Sequence, residues 1–250
     1  MLSPIARIKV ALNGGRHPGA HPALPCTPAE LAVAAREAVA AGAEAVHLHP
    51  RDTGGRESLH AADVGAAVAA VRDACPATPV GVTTGLWITD GDAAARQRAV
   101  AGWAQLPPAR RPDFASANVA EPGFTDLVAT LRDLGVAVEA GVWSVQDATA
   151  LSTASTVNGI DGVPRVLIEI MSPQTDPMAV LARLDELGVP GERLLHGEDE
   201  LCWPMVALAG RLGLPTRIGL EDTLTAPDGA PVTGNAELVR HALSVWAAAG

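Results

Sequence analysis

Glu44-Ala45-Val46-His47-Leu48-His49-Pro50-Arg51-Asp52 is the stretch from which the rest of the chain is read. An alanine-rich helical segment precedes it, apolar residues lead into it and Pro50 closes it. It therefore reads as a strand nearing its C-terminal end. Side chains alternate faces along a strand, so His47 and His49 share one side and Leu48 enters the opposite layer. Two imidazoles on one face can hold one metal ion, or can simply pack and hydrogen-bond. Arg51 and Asp52 add charge at the strand mouth, where α/β folds keep their chemistry.

Strand and helix signals alternate on both sides of this stretch. Ile8–Leu12 reads as a first strand, followed by a polar, Gly/Pro-rich loop from Asn13 to Pro25. Thr27-Pro28-Ala29-Glu30 starts a helix: Thr27 can cap, Pro28 suits the first helical position and Glu30 completes a capping box. That helix runs to about Ala41, and Gly42 ends it. After the histidine strand come a helix from Asp63 to Ala74 and a third strand, Thr78–Gly85. A helix from Asp92 to Ala104, a fourth strand at Pro112–Asn118 and a helix from Phe124 to Leu134 follow. Gly135–Ala140 is the fifth strand, then a helix from Ser144 to Ala154. Val166–Met171 is the sixth, then a helix from Asp176 to Leu187. Arg193–Gly197 is the seventh, then a helix from Leu201 to Leu212. Thr216–Leu220 is the eighth, and a helix from Asn235 to Ala249 closes the chain.

Eight strand–helix units in 250 residues have the count and size of a (β/α)₈ TIM barrel. An open doubly wound sheet would carry Gly-x-Gly-x-x-Gly after its first strand, and Asn13-Gly14-Gly15-Arg16 does not supply it. With no linker or composition break, residues 1–250 read as a single barrel domain.

Composition narrows the function. Hydrophobic residues make up 48%, which excludes a disordered chain. No apolar run reaches the roughly 18 residues of a membrane span. A formal net charge of −10 without a basic cluster argues against nucleic acid or anionic membrane as partner. Met1 to Arg7 lack a signal-peptide pattern. Cys26, Cys75 and Cys202 are scattered, as in a reducing compartment. A cytoplasmic protein is expected.

In a barrel, one face collects all the strand C-termini. Here those ends are polar: Asn13, His47, His49, Thr83, Thr84, Asn118, Glu121, Glu139, Glu169, His196, Glu221 and Asp222. In Arg217-Ile218-Gly219-Leu220-Glu221-Asp222, alternation puts Arg217, Gly219 and Glu221 on one face, with Gly219 leaving room for a ligand or a large neighbour. The second and eighth strands flank the first, so His47, His49 and Glu221 can converge. Two histidines and a carboxylate with an open position suit catalytic zinc or non-haem iron. Alternatively, Glu221 and Arg217 form an interior ion pair without metal.

These residues also carry a resemblance. The chain resembles the beta-keto acid cleavage enzymes over nearly its whole length. The likeness includes Pro22-Ala23-Leu24-Pro25-Cys26-Thr27-Pro28-Ala29-Glu30, His-Leu-His-x-Arg-Asp at 47–52, Thr83-Thr84-Gly85 and Glu139 in its strand. Trp203-Pro204-Met205, Arg217-Ile218-Gly219-Leu220-Glu221-Asp222 and Asn235-Ala236-Glu237-Leu238-Val239 complete it. The ordered pairing of His-Leu-His-x-Arg-Asp with Arg-x-Gly-x-Glu-Asp is its specific part. The resemblance implies a zinc-dependent (β/α)₈ acyltransferase, a homo-oligomer (dimer or tetramer). Such an enzyme takes a β-keto acid and acetyl-CoA and yields acetoacetate and a new acyl-CoA. On it, His47, His49 and Glu221 bind zinc, Arg217 and Asp222 form the acid–base pair, and Thr83, Thr84, Gly85 and Glu139 line the substrate.

Two positions depart from the family's 3-keto-5-aminohexanoate cleavage enzyme: Arg16 stands for an acidic residue and Glu121 for a threonine. Arg16 offers a planar fork for a carboxylate. A neutral or anionic substrate side chain, such as a keto diacid, is expected unless Glu121 pairs with Arg16. Arg217 cannot act as base, because its pKa exceeds about 12. Asp222 can, with its pKa lowered by Arg217 and zinc. One alternative is a metal-dependent hydrolase of the amidohydrolase type, which needs later histidines where this chain has Glu139 and Glu169. A non-catalytic barrel binding a small acid or metal is the other.

Overall fold

The structure, a computed structural model, describes residues 3–158 and 163–250. Met1 and Leu2, part of the N-terminal reading, lie outside the described residues. Eight parallel strands close into a barrel: β1 (Ile8–Ala11), β2 (Ala45–Leu48), β3 (Val80–Thr83), β4 (Phe114–Asn118), β5 (Ala137–Val142), β6 (Arg165–Ile170), β7 (Glu192–Gly197) and β8 (Thr216–Ile218). Between and after them run α1 (Pro28–Ala40), α2 (Ala61–Ala74), α3 (Ala93–Ala101), α4 (Phe124–Asp133), α5 (Val145–Asn158), α6 (Pro177–Glu186), α7 (Cys202–Leu212) and α8 (Asn235–Ala249). Pairing of β8 with β1, Lys9 opposite Arg217, closes the ring. The expected (β/α)₈ barrel is therefore the architecture the chain adopts.

Local chemistry explains the element starts. The Thr27 hydroxyl accepts from the Glu30 N–H at 3.3 Å, and the Glu30 carboxylate accepts from the Thr27 N–H at 2.9 Å. That is the capping box the sequence announces. Behind it, Leu31, Ala35 and Ala38 form the buried face of α1 at helical spacing. Differences lie at element ends. Residues 102–105 tighten into a 3-10 turn rather than extending α3. The last strand stops at Ile218, two residues early, and a turn follows.

The room expected at Gly219 is taken by backbone: a Cβ there would lie 1.8 Å from the Ala11 carbonyl oxygen. Gly219 thus serves the close approach of β1 and the turn after β8. Asn235 secures the same junction, donating to the Leu12 carbonyl at 3.0 Å and accepting from the Leu220 N–H at 2.9 Å.

Most apolar side chains fill the layer between strands and helices. A smaller apolar set, Ile5, Ala45, Phe114, Leu167 and Leu194, lies inside the barrel. Beside it runs a buried ionic group. Glu139 pairs with Lys9 at 2.5 Å and with Arg165, and Arg165 also reaches Glu192 at 2.5 Å. The Phe114 ring sits 5.7 Å from Lys9 Nζ and 5.8 Å from the Arg165 guanidinium. Such cation–π contacts help a desolvated charge.

Glu139 is fully buried here, and it is not among the residues that line the cavity at the strand C-termini. Sequence resemblance makes it a substrate residue; its partners make it the counter-charge of the barrel interior. Burial raises the Glu139 carboxyl, but Lys9 and Arg165 outweigh that and hold it below the ordinary glutamate range. Burial also dominates at Lys9 and pulls its ammonium below the ordinary lysine value despite Glu139.

Glu139→Gln leaves Lys9 and Arg165 buried without their shared carboxylate. Breaking a buried pair in this way costs about 3–5 kcal/mol. A carboxyl lowered on folding adds stability above its unfolded pKa of about 4.3, and that stability is lost as pH falls through the folded value. Urea unfolding at neutral and acidic pH checks this: the variant's deficit is largest at neutral pH and shrinks on acidification.

Candidate active site

A cavity of about 340 Å³ opens at the C-terminal ends of the strands, lined by residues from every strand's end except the first, and by Gly15 and Arg16 after β1. A larger hollow of about 700 Å³ lies at the opposite end, among Pro76, Pro79, Pro108 and Pro112. There Arg72 is tied to Asp113 at 2.8 Å, and no acid–base set is gathered. The smaller cavity, which gathers His47, His49, Glu169, Arg217 and Glu221, is the candidate site.

His47, on β2, and His49, just beyond it, do face one way. Their rings meet edge to face with centroids 5.2 Å apart. Asn13 holds the His49 backbone from both sides, accepting from its N–H at 2.9 Å and donating to its carbonyl at 2.9 Å. Glu221, from the turn after β8, brings Oε2 to 3.8 Å from His47 Nε2 and Oε1 to 3.4 Å from His49 Nε2. Ligand atoms of the three lie within 4.8 Å of one another. Glu221 Oε2 and His47 Nδ1 are buried without a hydrogen-bond partner. Orphaned polar atoms are costly in a folded interior. A divalent ion fits this donor set.

Charges differ sharply across the set. Burial lowers His47 well below the ordinary imidazole value, Glu221 notwithstanding. Burial also disfavours the charged form of His49, but Glu221 and Glu57 overcome it and raise that group to about 9. Glu221 is held well below the carboxylate range: burial opposes this, and Arg217 and both histidines outweigh it.

Arg217 donates through Nε and Nη2 to Asp222 Oδ1, at 2.9 and 2.6 Å. It also reaches Glu221 at 3.1 Å, Glu198 at 3.6 Å and Glu169 at 3.9 Å. Strict alternation would send Asp222 away from Arg217, but the turn after Ile218 returns it. The other oxygen, Asp222 Oδ2, is buried and has no partner. Beside arginine a lowered Asp222 is expected; among the protein's own groups, burial outweighs Arg217 and raises it. His196 lies between, with Nε2 3.2 Å from Glu169 Oε2 and Nδ1 3.6 Å from Asp222 Oδ1. Among the described residues a second set, Glu198, Glu221 and Asp222, also has metal-ligand spacing. The Arg217 guanidinium already supplies the positive charge there.

A family model described as beta-keto acid cleavage enzyme matches residues 6–250.

The chain belongs to the beta-keto acid cleavage enzyme family.

A search of curated proteins by sequence finds no match. Among solved structures, this beta-keto acid cleavage family chain is similar to apo ObcA, at 19% identity and a TM-score of 0.71, over 88% of its own length. ObcA in binary complex with oxaloacetate matches at 18% and 0.70. Its ternary complex with a C4-CoA adduct and oxalate matches at 18% and 0.69. These matches take in 61–62% of the ObcA chain, so the present chain spans less than two thirds of that protein. A rubisco-like protein from Burkholderia fungorum matches at 16% identity and 0.58, over 99% of this chain and 61% of that one. At such identities the likeness is one of fold.

The other residues singled out by sequence divide. Thr83 lines the cavity and accepts from the Gly85 N–H at 3.1 Å. Thr84 is buried and donates to the Ser116 carbonyl at 2.5 Å, which makes it part of the β3–β4 junction. Gly85 lies under the Trp87 ring, and a Cβ there would come within 2.1 Å of it. Glu121 is absent from the cavity wall: it pairs with Arg96 and accepts from the Leu86 N–H at 3.1 Å. Arg16 does line the cavity, yet its fork is occupied. Nε donates to the Leu220 and Glu221 carbonyls at 2.7 and 3.1 Å, and Nη2 meets Asp199 at 2.7 Å. It neither pairs with Glu121 nor offers a bare cation to a second substrate carboxylate.

Reading the sequence misses Glu57, Trp87, Trp143, Glu198 and Asp199. Glu198 and Asp199 follow β7 directly, and the rule of polar strand ends would have reached them. Asp199 has a left-handed backbone, φ 45°, and its N–H donates to the Asp222 carbonyl at 2.7 Å. Burial raises Glu198 to about 7, against the pull of Arg217.

Metal analysis checks the triad. The purified protein is expected to take up one divalent ion at His47, His49 and Glu221. The double variant His47→Ala/His49→Ala should keep its circular dichroism and lose the ion, while Glu221→Gln weakens uptake because an amide is a poorer ligand. Full occupancy in the double variant would remove these residues from the ligand set.

Proposed function

We propose that this chain cleaves a β-keto acid with acetyl-CoA as co-substrate, giving acetoacetate and a new acyl-CoA. The observation that carries this reading is the buried Arg217–Asp222 pair beside His47, His49 and Glu221, with Asp222 Oδ2 left without a partner. Family membership supports the reaction class. The ObcA complexes with oxaloacetate and with a C4-CoA adduct support a keto acid and CoA as ligands of such a barrel.

His47, His49 and Glu221 would hold the metal, and two nitrogens with one carboxylate suit zinc. When bound, zinc supplies Lewis-acid stabilisation for negative charge on a keto oxygen. Asp222 Oδ2 takes a proton from the carbon between the keto and carboxylate groups. Arg217 grips Oδ1 through two donated bonds and so fixes where Oδ2 points. The electron pair released from that carbon forms a bond to the thioester carbon of acetyl-CoA, and CoA leaves as thiolate. The thiolate then attacks the original keto carbon. The bond from that carbon to the former α-carbon breaks, and the departing acetoacetate carbanion recovers its proton from Asp222. Burial of Asp222 and His196 keeps bulk water from this transfer.

The hydrolase alternative needs histidines from β5 and β6. Those strands carry Glu139, tied to Lys9 and Arg165, and Glu169, which accepts from Trp143 Nε1 at 3.2 Å.

A panel of β-keto acids incubated with acetyl-CoA tests the activity, with acetoacetate as readout. Turnover independent of acetyl-CoA would overturn it. Asp222→Asn keeps the shape and removes the base, so turnover should fall on the order of 10² or more with the metal still bound. Near-normal turnover would move the base to another group on the cavity wall, Glu169.

A further inference from the structure

Arg51 and Asp52 stand out in the sequence as charge at the mouth, yet neither lines the cavity. They build a hairpin. The Asp52 carboxylate accepts from the Gly54 and Arg56 N–H groups at 2.8 and 3.0 Å, and the Asp52 N–H donates to the Arg56 carbonyl at 2.8 Å. Gly55 turns the chain with φ +80°. Arg51 is buried and donates to the carbonyls of Gly55, Gly14 and Arg16, at 2.8, 3.0 and 2.6 Å. An antiparallel bridge joins Arg51 to Glu57, and the Ser58 N–H donates to the Pro50 carbonyl at 2.8 Å. This braced turn ends by setting Glu57 behind His49.

Both oxygens of Glu57 are engaged. Oε1 lies 2.5 Å from His49 Nδ1, and Oε2 accepts from Trp87 Nε1 at 3.0 Å. The Trp87 ring stacks over His49, 26° from parallel with centroids 6.3 Å apart, although Trp87 is 48% exposed. On its far side His49 presents Nε2 to Glu221 at 3.4 Å. A carboxylate on the rear nitrogen of a metal-bound imidazole fixes the ring and its tautomer and makes the ligating nitrogen more basic.

We propose that Glu57 is a positioning residue for the metal set: delivered by the 50–58 hairpin, it locks the His49 ring with Nε2 toward Glu221, and Trp87 steadies its second oxygen. This rests on the reading of His47, His49 and Glu221 as a metal site.

The test compares metal affinity and the Co(II) visible spectrum in wild type, Glu57→Gln, Glu57→Asp and Trp87→Phe, by chelator competition on metal-stripped protein. Glu57→Gln should keep the thermal midpoint of the stripped form and lose about 10- to 100-fold in zinc affinity, with altered Co(II) bands. Trp87→Phe keeps Glu57 on Nδ1 and should lose less. Affinity and bands in Glu57→Gln matching wild type would overturn the proposal. An equal loss in Trp87→Phe would also overturn it, by tracing the effect to packing at the mouth. Should Glu57→Gln fail to fold, Glu57→Asp decides: its shortened carboxylate must change the bands, and an unchanged spectrum and affinity overturns the assignment. If wild type itself takes up no metal, the metal reading fails, which is distinguishable from failure at Glu57 alone.

Discussion

Four carboxylates, those of Asp222, Glu221, Glu198 and Glu169, converge on the buried guanidinium of Arg217. That convergence is the constraint around which the rest is arranged. Without the central cation the carboxylates would repel one another in a low-dielectric setting, and burial would protonate most of them. Arg217 pulls all four down against burial, and the balance differs at each. Glu221 stays charged, Asp222 is raised, and Glu198 sits near neutrality. Arg217 thereby keeps one carboxylate ionised while burial leaves its sequence neighbour raised. The delocalised charge and planar fork of arginine suit this better than a lysine would.

How far the sequence reaches follows from the range of each signal. Periodicity and turn residues are local, and they were enough for eight strands, the helices and the capping box at Thr27. The ordered pair of motifs brought His47, His49, Arg217, Glu221 and Asp222 to one expected place, because adjacency across β1 follows from barrel topology alone. What escaped depends on which partner wins a side chain. Glu139 belongs to Lys9 and Arg165, Glu121 to Arg96, and Arg16 to Asp199 and two carbonyls. Each is a competition among several charges within reach, and no spacing rule resolves it. Alternation also misleads where β8 ends early, since residues 219–222 form a turn and obey no period of two. Glu57 had a readable signal, the Asp52-Thr53-Gly54-Gly55 turn that doubles the chain back. Its consequence becomes visible only once the strand end it returns to is known.

Two buried ionic groups thus coexist in one barrel, with different duties. The Lys9–Glu139–Arg165 group has its charges paired, and it fills the interior together with Phe114. At the mouth, Glu221 Oε2, Asp222 Oδ2 and His47 Nδ1 are left with hydrogen-bonding capacity to spare. Incomplete satisfaction is where an interior departs from the rule for stable folds, and such departures gather at functional sites.

The seam between β7 and β8 has a further consequence. Only Leu195 and Thr216 pair across it in register, against six residue pairs between β6 and β7. Other bonds reinforce the seam: at that same pair the Thr216 hydroxyl donates to the Leu195 carbonyl at 2.7 Å, and farther along the Asp199 N–H donates to the Asp222 carbonyl at 2.7 Å. The thinnest part of the wall therefore lies beside Asp222, whose Oδ2 has no hydrogen-bond partner. Local unfolding starts where backbone pairing is sparse. In this barrel a breathing motion at that seam would part Asp222 from Asp199 and His196, its neighbours across it, and so open the wall on which the Arg217–Asp222 pair rests.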